Sequence, residues 1–388
     1  MKVKSLLKQA LLPALAFLLA LFIGGLVIGF TDNKVTSQIT RPLDFMKAFG
    51  SSVGNAYLAL FQGAIYDPNL ATGKYFLAGF YPFTETLVAS APLILCGLSV
   101  ALAFKAGLFN IGAQGQFIFG AIGASLIGFK YNLPIGIHVI VAIVVAITFS
   151  SLWGGIVGVL KAKTGAHEVI VTIMLNYIAA RFLMWVLRTP TFLRPGRIDP
   201  LAPPVALTAR LPRLFGESYR VNLGIFVAVA VAGLVYLLLN RTTLGFKFRA
   251  VGANAAAART AGISVSKTVI ATMMISGALA GLGGAVQILG NQFELTGDVA
   301  GSFGFDAITV ALLGRGGPLG VILASLLFAG LRVGGQTMQA NVHVPIEIVL
   351  VIQALVVLFI AAPGLVSRIF HTSNLASGKE LISKGWNG

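Results

Sequence analysis

Long apolar runs, separated by short polar or glycine-rich segments, recur along almost the whole chain. A helix needs about 20 mostly apolar residues to cross the hydrocarbon core of a bilayer, and most of these runs reach that length. The pattern therefore predicts an all-α, polytopic membrane bundle of about ten transmembrane segments. The predicted segments are 11–30, 86–104, 110–129, 134–160, 168–187, 222–239, 268–290, 303–314, 318–336 and 345–362.

The eighth segment, FGFDAITVALLG at 303–314, is shorter than the others. A helix of a dozen residues extends only about 18 Å, whereas the hydrocarbon core is about 30 Å thick. The glycine-rich stretch GRGGPLG that follows it favours a turn. This segment is therefore predicted to be a half-span or a re-entrant helix.

Lysine and arginine positions predict the orientation, because basic loops near transmembrane ends stay on the cytoplasmic side. With the amino terminus inside, most basic residues fall in cytoplasmic loops and the carboxyl terminus is cytoplasmic too. The predicted organisation is a membrane-spanning domain over 1–370, with external loops at 31–85 and 188–221, a cytoplasmic loop at 241–267 and a cytoplasmic tail at 371–388. The loop 188–221 departs from the rule because it holds Arg188, Arg194, Arg197, Arg210, Arg213 and Arg220.

Composition supports a membrane protein, since 57% of residues are hydrophobic and only 10% are charged. The net charge of +16 fits membrane orientation better than nucleic-acid binding, which needs a basic surface on a soluble domain. The basic start and the run at 11–30 resemble a signal peptide, but no A-x-A cleavage pattern follows, so an uncleaved first span is predicted. Within 31–85, NAYLALFQGAIY is predicted to be an interfacial or docked helix.

Motifs of the common catalytic sites are missing from the sequence. No G-x-x-x-x-G-K-[ST] phosphate loop occurs, and the four histidines are scattered without H-E-x-x-H spacing. The single cysteine, Cys96, lies inside an apolar run and excludes a cysteine metal cluster. We therefore expect neither a catalytic residue nor a metal site, and no cofactor.

The loop 241–267 combines several cations with a short run of strong helix formers. No acidic residue occurs between Glu217 and Glu294. Asn254 suits a helix N-cap and Gly262 a helix stop, so AAAARTA between them is predicted to form about two helical turns. A helix this short is marginal alone in water, which favours docking against a partner protein. An ordinary solvated basic loop that only sets the topology is the alternative.

Glu168, Thr172 and Asn176 recur every four residues in the fifth segment and share one helix face. Polar side chains inside a bilayer tend to face the bundle interior or a water-filled path, so this face is a candidate substrate pathway. The alternative is structural: Thr and Asn often form hydrogen bonds between membrane helices, and an acid is favoured at a helix N-terminus.

Two further groups of polar residues are candidates for the pathway. Asn110, Gln114 and Gln116 surround glycines at the entry to the third segment, where amide groups could bind a base or a ribose. Glu294 and Asp306 flank the start of the short eighth segment, and discontinuous helices often frame transport paths. Close helix packing and an ordinary solvated loop are the respective alternatives.

Three stretches resemble the permease subunits of ABC-type uptake systems, in the branch that contains branched-chain amino acid, ribose and nucleoside permeases. They are AFKAGLFNIGAQGQFIFGA at 103–121, GAHEVIVTIMLNYIAARF at 165–182 and TTLGFKFRAVGANAAAARTAGIS at 242–264. These sequences are most similar to those of the general nucleoside permeases, in particular the longer of the two permeases that such systems use.

The resemblance implies the rest of the transporter: a cytoplasmic ABC ATPase, a second permease that completes a heterodimeric pore, and an external substrate-binding lipoprotein, all at a bacterial plasma membrane. It also implies that the third stretch is the coupling helix that docks into the ATPase, and Arg259 adds a cation that can pair with acids there. The matching coupling positions are Gly245, Arg249, Gly252, Asn254, Ala257 and Gly262. His167 and Gln114 depart from the family pattern, which leaves the substrate open.

Two other functions remain possible from the sequence. An ABC permease for a simple sugar or an amino acid would keep the same fold and coupling. A secondary transporter driven by an ion gradient would need buried carboxylates near the midplane, for which Glu347 is the only weak candidate.

Overall fold

The computed structural model describes residues 2–71, 76–216 and 218–370 of the 388-residue chain, so the predicted tail 371–388 lies outside the described residues. In these ranges the chain is helical, and its extended pairings are two isolated bridges, Leu201–Thr296 and Arg213–Asn222. The helices are α1 (Lys2–Thr31), α2 (Asn33–Thr36), α3 (Pro42–Ala64), α4 (Tyr81–Lys105), α5 (Ala113–Lys130), α6 (Ile137–Thr164), α7 (Glu168–Val186), α8 (Gly224–Arg241), α9 (Thr243–Ala253), α10 (Ala255–Thr260), α11 (Val265–Val286), α12 (Phe303–Leu313), α13 (Pro318–Val342), α14 (Glu347–Ala361) and α15 (Pro363–Ile369).

All ten predicted segments coincide with a helix, which confirms the all-α, polytopic membrane bundle. Within the described ranges, seven helices are long and apolar enough to cross a membrane, and α12 and α14 are shorter apolar helices. The remaining one, α5, has 18 residues and begins with a polar turn that holds Gln114 and Gln116. At about 1.5 Å per residue, the 11 residues of α12 extend only about 16 Å, as expected for a half-span.

Several boundaries differ from the prediction. The helix expected at 55–66 is α3, which starts at Pro42 because proline at the first helical position suits a helix start. The loop 241–267 contains α9 as well as the predicted α10. A turn of π-helix, Gln287–Gln292, continues α11, and Phe293 then takes a left-handed conformation with φ of 61°.

The described chain divides into two compact units. Of the described residues, the first comprises 2–71, 76–86 and 327–370, and its core joins α1, α3, the end of α13, and α14. Close contacts between small residues and ring or branched side chains shape this core: Gly24 faces Ile352, and Gly25 faces Val53 and Tyr57. Dispersion contacts of this kind, rather than water exclusion, are the main source of helix association in a bilayer.

The second unit, Leu87–Leu326, is built around α11. Helices α5 and α6 pack against it, and α11 is buried on nearly all sides. Glycines make this possible: Gly120 of α5 lies against the backbone of Gly281, and Gly154 of α6 against the backbone of Met273. Small residues at these crossings let the helix backbones touch, as in other membrane bundles. The candidate site residues all lie in this unit.

Candidate functional site

The chain between α4 and α5 is not helical, although the helices around it are buried. Asn176 of α7 satisfies its backbone: Nδ2 donates to the Ile111 carbonyl at 2.9 Å, and Oδ1 accepts from the Gly115 N–H at 2.8 Å. Gly115 lies in the first turn of α5, where backbone N–H groups lack a partner within the helix. A side chain from α7 therefore caps α5, because Gly112 at the N-cap has no side chain to do so.

Asn110 is the centre of a buried polar network that holds the same turn. Its Nδ2 donates to Gln116 Oε1 at 2.9 Å and to Ser276 Oγ at 2.7 Å, and its Oδ1 accepts from the Gly112 N–H at 2.9 Å. Ser276 of α11 in turn donates to the carbonyl of Ser99 in α4 at 2.8 Å. Non-helical backbone inside a membrane protein is tolerated where such contacts satisfy its polar groups.

Gln114 joins the start of α5 to the start of α12. Its Nε2 donates to the Gly301 carbonyl at 2.7 Å, and its Oε1 accepts from the Gly304 N–H at 2.8 Å. The rings of Phe117 and Phe303 stack beside this contact with centroids 5.6 Å apart. Two helix N-termini, each with a partial positive charge, therefore meet at one place in the second unit.

Asp306 lies in the first turn of α12, where a carboxylate is favoured by the helix dipole. The Ser302 hydroxyl donates to its Oδ2 at 2.6 Å. Asp306 is thus placed beside the Gln114 contact, because both Ser302 and Gly304 belong to the turn that starts α12.

Glu168, Thr172 and Asn176 are all buried on one face of α7, as their spacing predicts. Lys161, in the last turn of α6, donates to Glu168 Oε2 at 2.5 Å. Thr172 Oγ1 donates back to the Glu168 carbonyl at 2.7 Å, and its side chain faces Gly112. The face therefore contacts α6 at one end and the non-helical turn before α5 at the other.

Glu294 lies apart from these residues, in a segment that binds the arginine-rich loop 188–221. Arg194 approaches its carboxylate at 3.6 Å, and Arg210 stacks over the Phe293 ring at 4.4 Å from the centroid. Backbone hydrogen bonds join the loop to the same segment: Val205 N–H donates to Phe293 at 2.8 Å, and Ala202 N–H to Leu295 at 3.1 Å. The loop is thus fixed to the end of α11 rather than free.

Asp199 and Arg197 show a second local pairing in that loop. Arg197 Nε donates to Asp199 Oδ1 at 2.8 Å, and this hydrogen bond lowers the pKa of Asp199 below its usual value. Three of the arginines that depart from the positive-inside rule therefore contact an acid or an aromatic ring: Arg194, Arg197 and Arg210.

The predicted coupling segment forms two consecutive helices with well-defined ends. Asn254 Oδ1 accepts from the Ala257 N–H at 3.0 Å and so caps α10. At the other end Gly262 has φ of 82°, Gly262 N–H donates to Arg259, and Ile263 N–H donates to the Ala258 carbonyl. This is the hydrogen-bond pattern of a Schellman motif, which confirms both predicted ends of α10.

The inner face of α9 is buried and its outer face is basic. Gly245 packs against the backbone of Leu238 and Leu239 in α8, and Phe248 is completely buried. Arg249 and Arg259, on α9 and α10, are exposed, and Phe246 between the cations is 59% exposed. The inner face of α9 thus packs on α8, while cations and an apolar ring are exposed on the outer face of α9 and α10.

The end of α9 touches the start of the non-helical turn. A Cβ on Gly252 would lie 2.8 Å from Ala106 C and 2.8 Å from Gly107 N. Gly107 itself has φ of 72°, which favours glycine, and its own Cβ position is 3.0 Å from Gly252 Cα. The two backbones are therefore in direct contact, only a few residues before Asn110.

The structure adds residues that the sequence did not single out. Ser99 and Ser276 complete the Asn110 network, and a polar residue inside an apolar segment is the signal that could have identified them. Gly107 could have been suspected only as a turn glycine. Lys161 directly follows the predicted segment 134–160, and its pairing with Glu168 was not predicted.

Residues 83–361 match the family described as the branched-chain amino acid transport system / permease component, so the chain belongs to this family of membrane permeases. It is 36% identical, over 92% of this chain and 94% of the relative, to the guanosine ABC transporter permease protein NupP of Bacillus subtilis. It is 33% identical to the nucleoside ABC transporter permease protein NupB of Lactococcus lactis, over 91% of this chain and 98% of the relative.

The glucose ABC transporter permease protein TsgB13 of Haloferax volcanii is 36% identical, over 81% of this chain and 87% of the relative. No solved structure matches the chain. The chain is thus a multi-pass permease component of an ABC transport system, and the substrates in its relatives' names differ.

Proposed function

We propose that this chain is the permease subunit of an ABC importer for nucleosides in a bacterial plasma membrane. It forms half of the pathway, a second permease subunit forms the other half, and an external binding lipoprotein delivers the substrate. A separate cytoplasmic ATPase drives transport, and the chain has no catalytic residue of its own. The amino terminus, the loop 241–267 and the tail face the cytoplasm, and the loops 31–85 and 188–221 face outward.

The observation that carries this proposal is the outward basic face of α9 and α10. Arg249 and Arg259 are exposed, and the sequence offers no acid between Glu217 and Glu294 to neutralise them. Guanidinium groups are well suited to pair with carboxylates on a partner, and exposed Phe246 adds the apolar contact typical of interface centres. Helix α10 lies at the tip of this element, with its alanines Ala255, Ala256 and Ala257 exposed.

Movement of this element can reach the buried polar residues through backbone contact. Gly252 touches Gly107, and Asn110 follows three residues later in the same turn. Asn176 and Gln114 then connect that turn to α7 and to the start of α12. We propose that the ATPase moves α9, and that α9 moves the junction of α5 and α12.

The substrate pathway is proposed to pass this junction. Gln114 and Asn176 keep a small exposed fraction there, 9% and 7%, whereas Asn110, Gln116 and Thr172 are at most 1% exposed. We assign Gln114 and Asn176 to substrate contact in an open state. The three more deeply buried residues are assigned to stabilising the non-helical turn before α5. Glu168, Glu294 and Asp306 stay predictions as pathway residues, since each carboxylate is engaged by Lys161, Arg194 or Ser302.

Nucleosides are the proposed cargo because NupP and NupB match nearly the whole chain and carry guanosine or nucleoside transport in their names. Amide side chains such as Gln114 and Asn176 can donate to and accept from both a base and a ribose. A simple sugar is the second candidate, because TsgB13, named for glucose, has the same identity as NupP.

Uptake of labelled compounds tests this proposal. Cells that carry the chain are compared with cells from which it has been deleted, with guanosine, uridine, ribose and glucose as labelled compounds. We expect deletion to abolish energy-dependent guanosine and uridine uptake and to leave glucose uptake unchanged. Loss of glucose or ribose uptake alone would identify a sugar permease instead, and unchanged uptake of all four would contradict both candidates.

A further inference from the structure

An apolar groove runs along the outer surface of the second unit, between α6 and α11. It has a volume of about 380 Å³, and it is lined by Leu152, Gly155, Ile156, Val159, Leu160, Ile270 and Met274. The groove forms because α6 lacks side chains where it crosses α11. Gly158 lies against the Ile270 backbone, and Met274 lies over Gly155. Leu152 and Ile156, 59% and 40% exposed, form the outer wall on α6.

The length and composition of the groove suit an acyl chain. From Leu152 to Leu160 it extends about 12 Å along α6, at about 1.5 Å per residue. Every lining residue is apolar or glycine, so the groove offers a nucleoside no hydrogen-bond partner. A hydrocarbon chain needs none, and it gains dispersion contacts in a groove that fits it.

Two lysines lie at one end of this groove. Lys163 follows Leu160 by three residues in the last turn of α6, and Lys267 precedes Ile270 by three residues in the first turns of α11. Residues three apart lie on the same side of a helix, so both ammonium groups extend from the groove's end. Both lysines are exposed, and neither forms a salt bridge in the described ranges.

Backbone groups add positive potential at the same end. Ser264, at the N-cap of α11, makes no side-chain hydrogen bond to the helix, so the first N–H groups of α11 have no cap. Helix N-termini attract anions through such groups. The carboxylate nearby, Glu168, is already bound by Lys161.

We propose that this groove binds an anionic phospholipid of the cytoplasmic leaflet, with an acyl chain along α6 and the phosphate between Lys163 and Lys267. An apolar slot closed at one end by cations is complementary to this ligand, and basic pockets between helices at the cytoplasmic side bind such headgroups. This proposal rests on the proposed function only for the orientation of the chain in the membrane. It does not depend on which substrate the permease carries.

Native mass spectrometry of the purified full chain tests the site, with phosphatidylglycerol and phosphatidylcholine of identical acyl chains as probes. We expect the chain to retain phosphatidylglycerol preferentially. In the double variant Lys163→Gln/Lys267→Gln this preference should fall about fivefold or more, from the contribution of each basic residue near an anionic surface. Val159→Trp, which fills the groove, should reduce retention of both lipids.

The matched control is Lys130→Gln/Arg188→Gln, which removes the same charge from exposed positions of the predicted outer side that do not line the groove. It should keep the preference of the parent chain. Leu152→Trp, at the other end of the groove, repeats the filling test if Val159→Trp fails to give a monodisperse protein.

An unchanged preference in the Lys163→Gln/Lys267→Gln variant would overturn the proposal. So would filling variants that bind lipid as before but convert a dimer of the chain into a monomer, because the groove would then cover a second copy.

Discussion

Gly252 and Gly107 are in backbone contact: a Cβ on Gly107 would lie 3.0 Å from Gly252 Cα. This contact joins α9, whose outer face is exposed and basic, to the turn that leads to Asn110 and the start of α5. Neither residue carries a side chain, so the connection depends on close approach alone. A single added methyl group therefore tests it.

Gly252→Ala should uncouple transport from ATPase binding. The new Cβ would meet the Lys105 carbonyl and Ala106, which are backbone atoms that cannot move aside as a flexible side chain would. We expect α9 to shift and ATP-driven uptake to fall at least about tenfold, equivalent to about 1.4 kcal/mol. Helix propensity alone predicts the opposite, a gain of about 1 kcal/mol on replacing glycine by alanine in a helix.

Gly233→Ala in α8 is the matched control, since nothing lies within 4 Å of its Cβ position. It should leave uptake unchanged and stabilise α8 slightly. Equal uptake in the Gly252→Ala variant and this control, measured in the same proteoliposomes, would mean that the contact does not transmit movement.

Asn176→Leu should destabilise the protein and impair uptake. The substitution leaves the Ile111 carbonyl and the Gly115 N–H without their partner in a buried region. Each unsatisfied buried group costs about 1–3 kcal/mol, so the thermal unfolding temperature should fall clearly. Asn240→Leu is the control, because Asn240 is exposed and, among the described residues, donates to Tyr236 of its own helix α8. Comparable unfolding temperatures for the two variants would contradict this role of Asn176.

Glu294→Gln should change stability by less than about 1 kcal/mol, because its pairing with Arg194 is partly exposed and such pairs contribute little. If Glu294 only anchors the loop 188–221, uptake should keep the KM and maximal rate of the parent. A raised KM at unchanged unfolding temperature would instead identify Glu294 as a substrate contact. The measurement is a substrate titration of initial uptake rates.

Local sequence signals predicted α10 well. Asn254 and Gly262 act on residues within the same turn, so their effect can be inferred from spacing alone. Helix α9 was not predicted because only three of its residues, Gly245, Phe248 and Val251, are buried, and they pack on α8 rather than in a long apolar run.

Asn176 and Gln114 lie on α7 and α5, the helices in which the sequence predicts them, but their partners could not be inferred. Asn176 bonds to Ile111, 65 positions away, and Gln114 bonds to Gly304, 190 positions away. The partners of the arginines in 188–221 likewise come from distant parts of the chain, as when Arg210 stacks on Phe293. Such pairings cannot be inferred from a single sequence, because folding brings together positions that are far apart along the chain.

Arg249→Glu with Arg259→Glu should abolish ATPase binding, because two exposed cations that would pair with the partner's carboxylates become repulsive. Charge reversal at an interface is expected to weaken association at least about tenfold. Lys130→Glu with Arg188→Glu reverses the same number of charges at exposed positions of the predicted outer side and serves as the control. It should bind the ATPase as the parent does.

The central claim is that a separate ATPase binds α9 and α10 and drives uptake through Gly252. Its most direct test is to measure ATPase co-purification and ATP-driven guanosine uptake on the same proteoliposome preparations. The Arg249→Glu/Arg259→Glu variant should lose both, whereas Gly252→Ala should retain ATPase binding and lose uptake. Guanosine uptake that proceeds without ATP, or full uptake in both variants, would contradict the account.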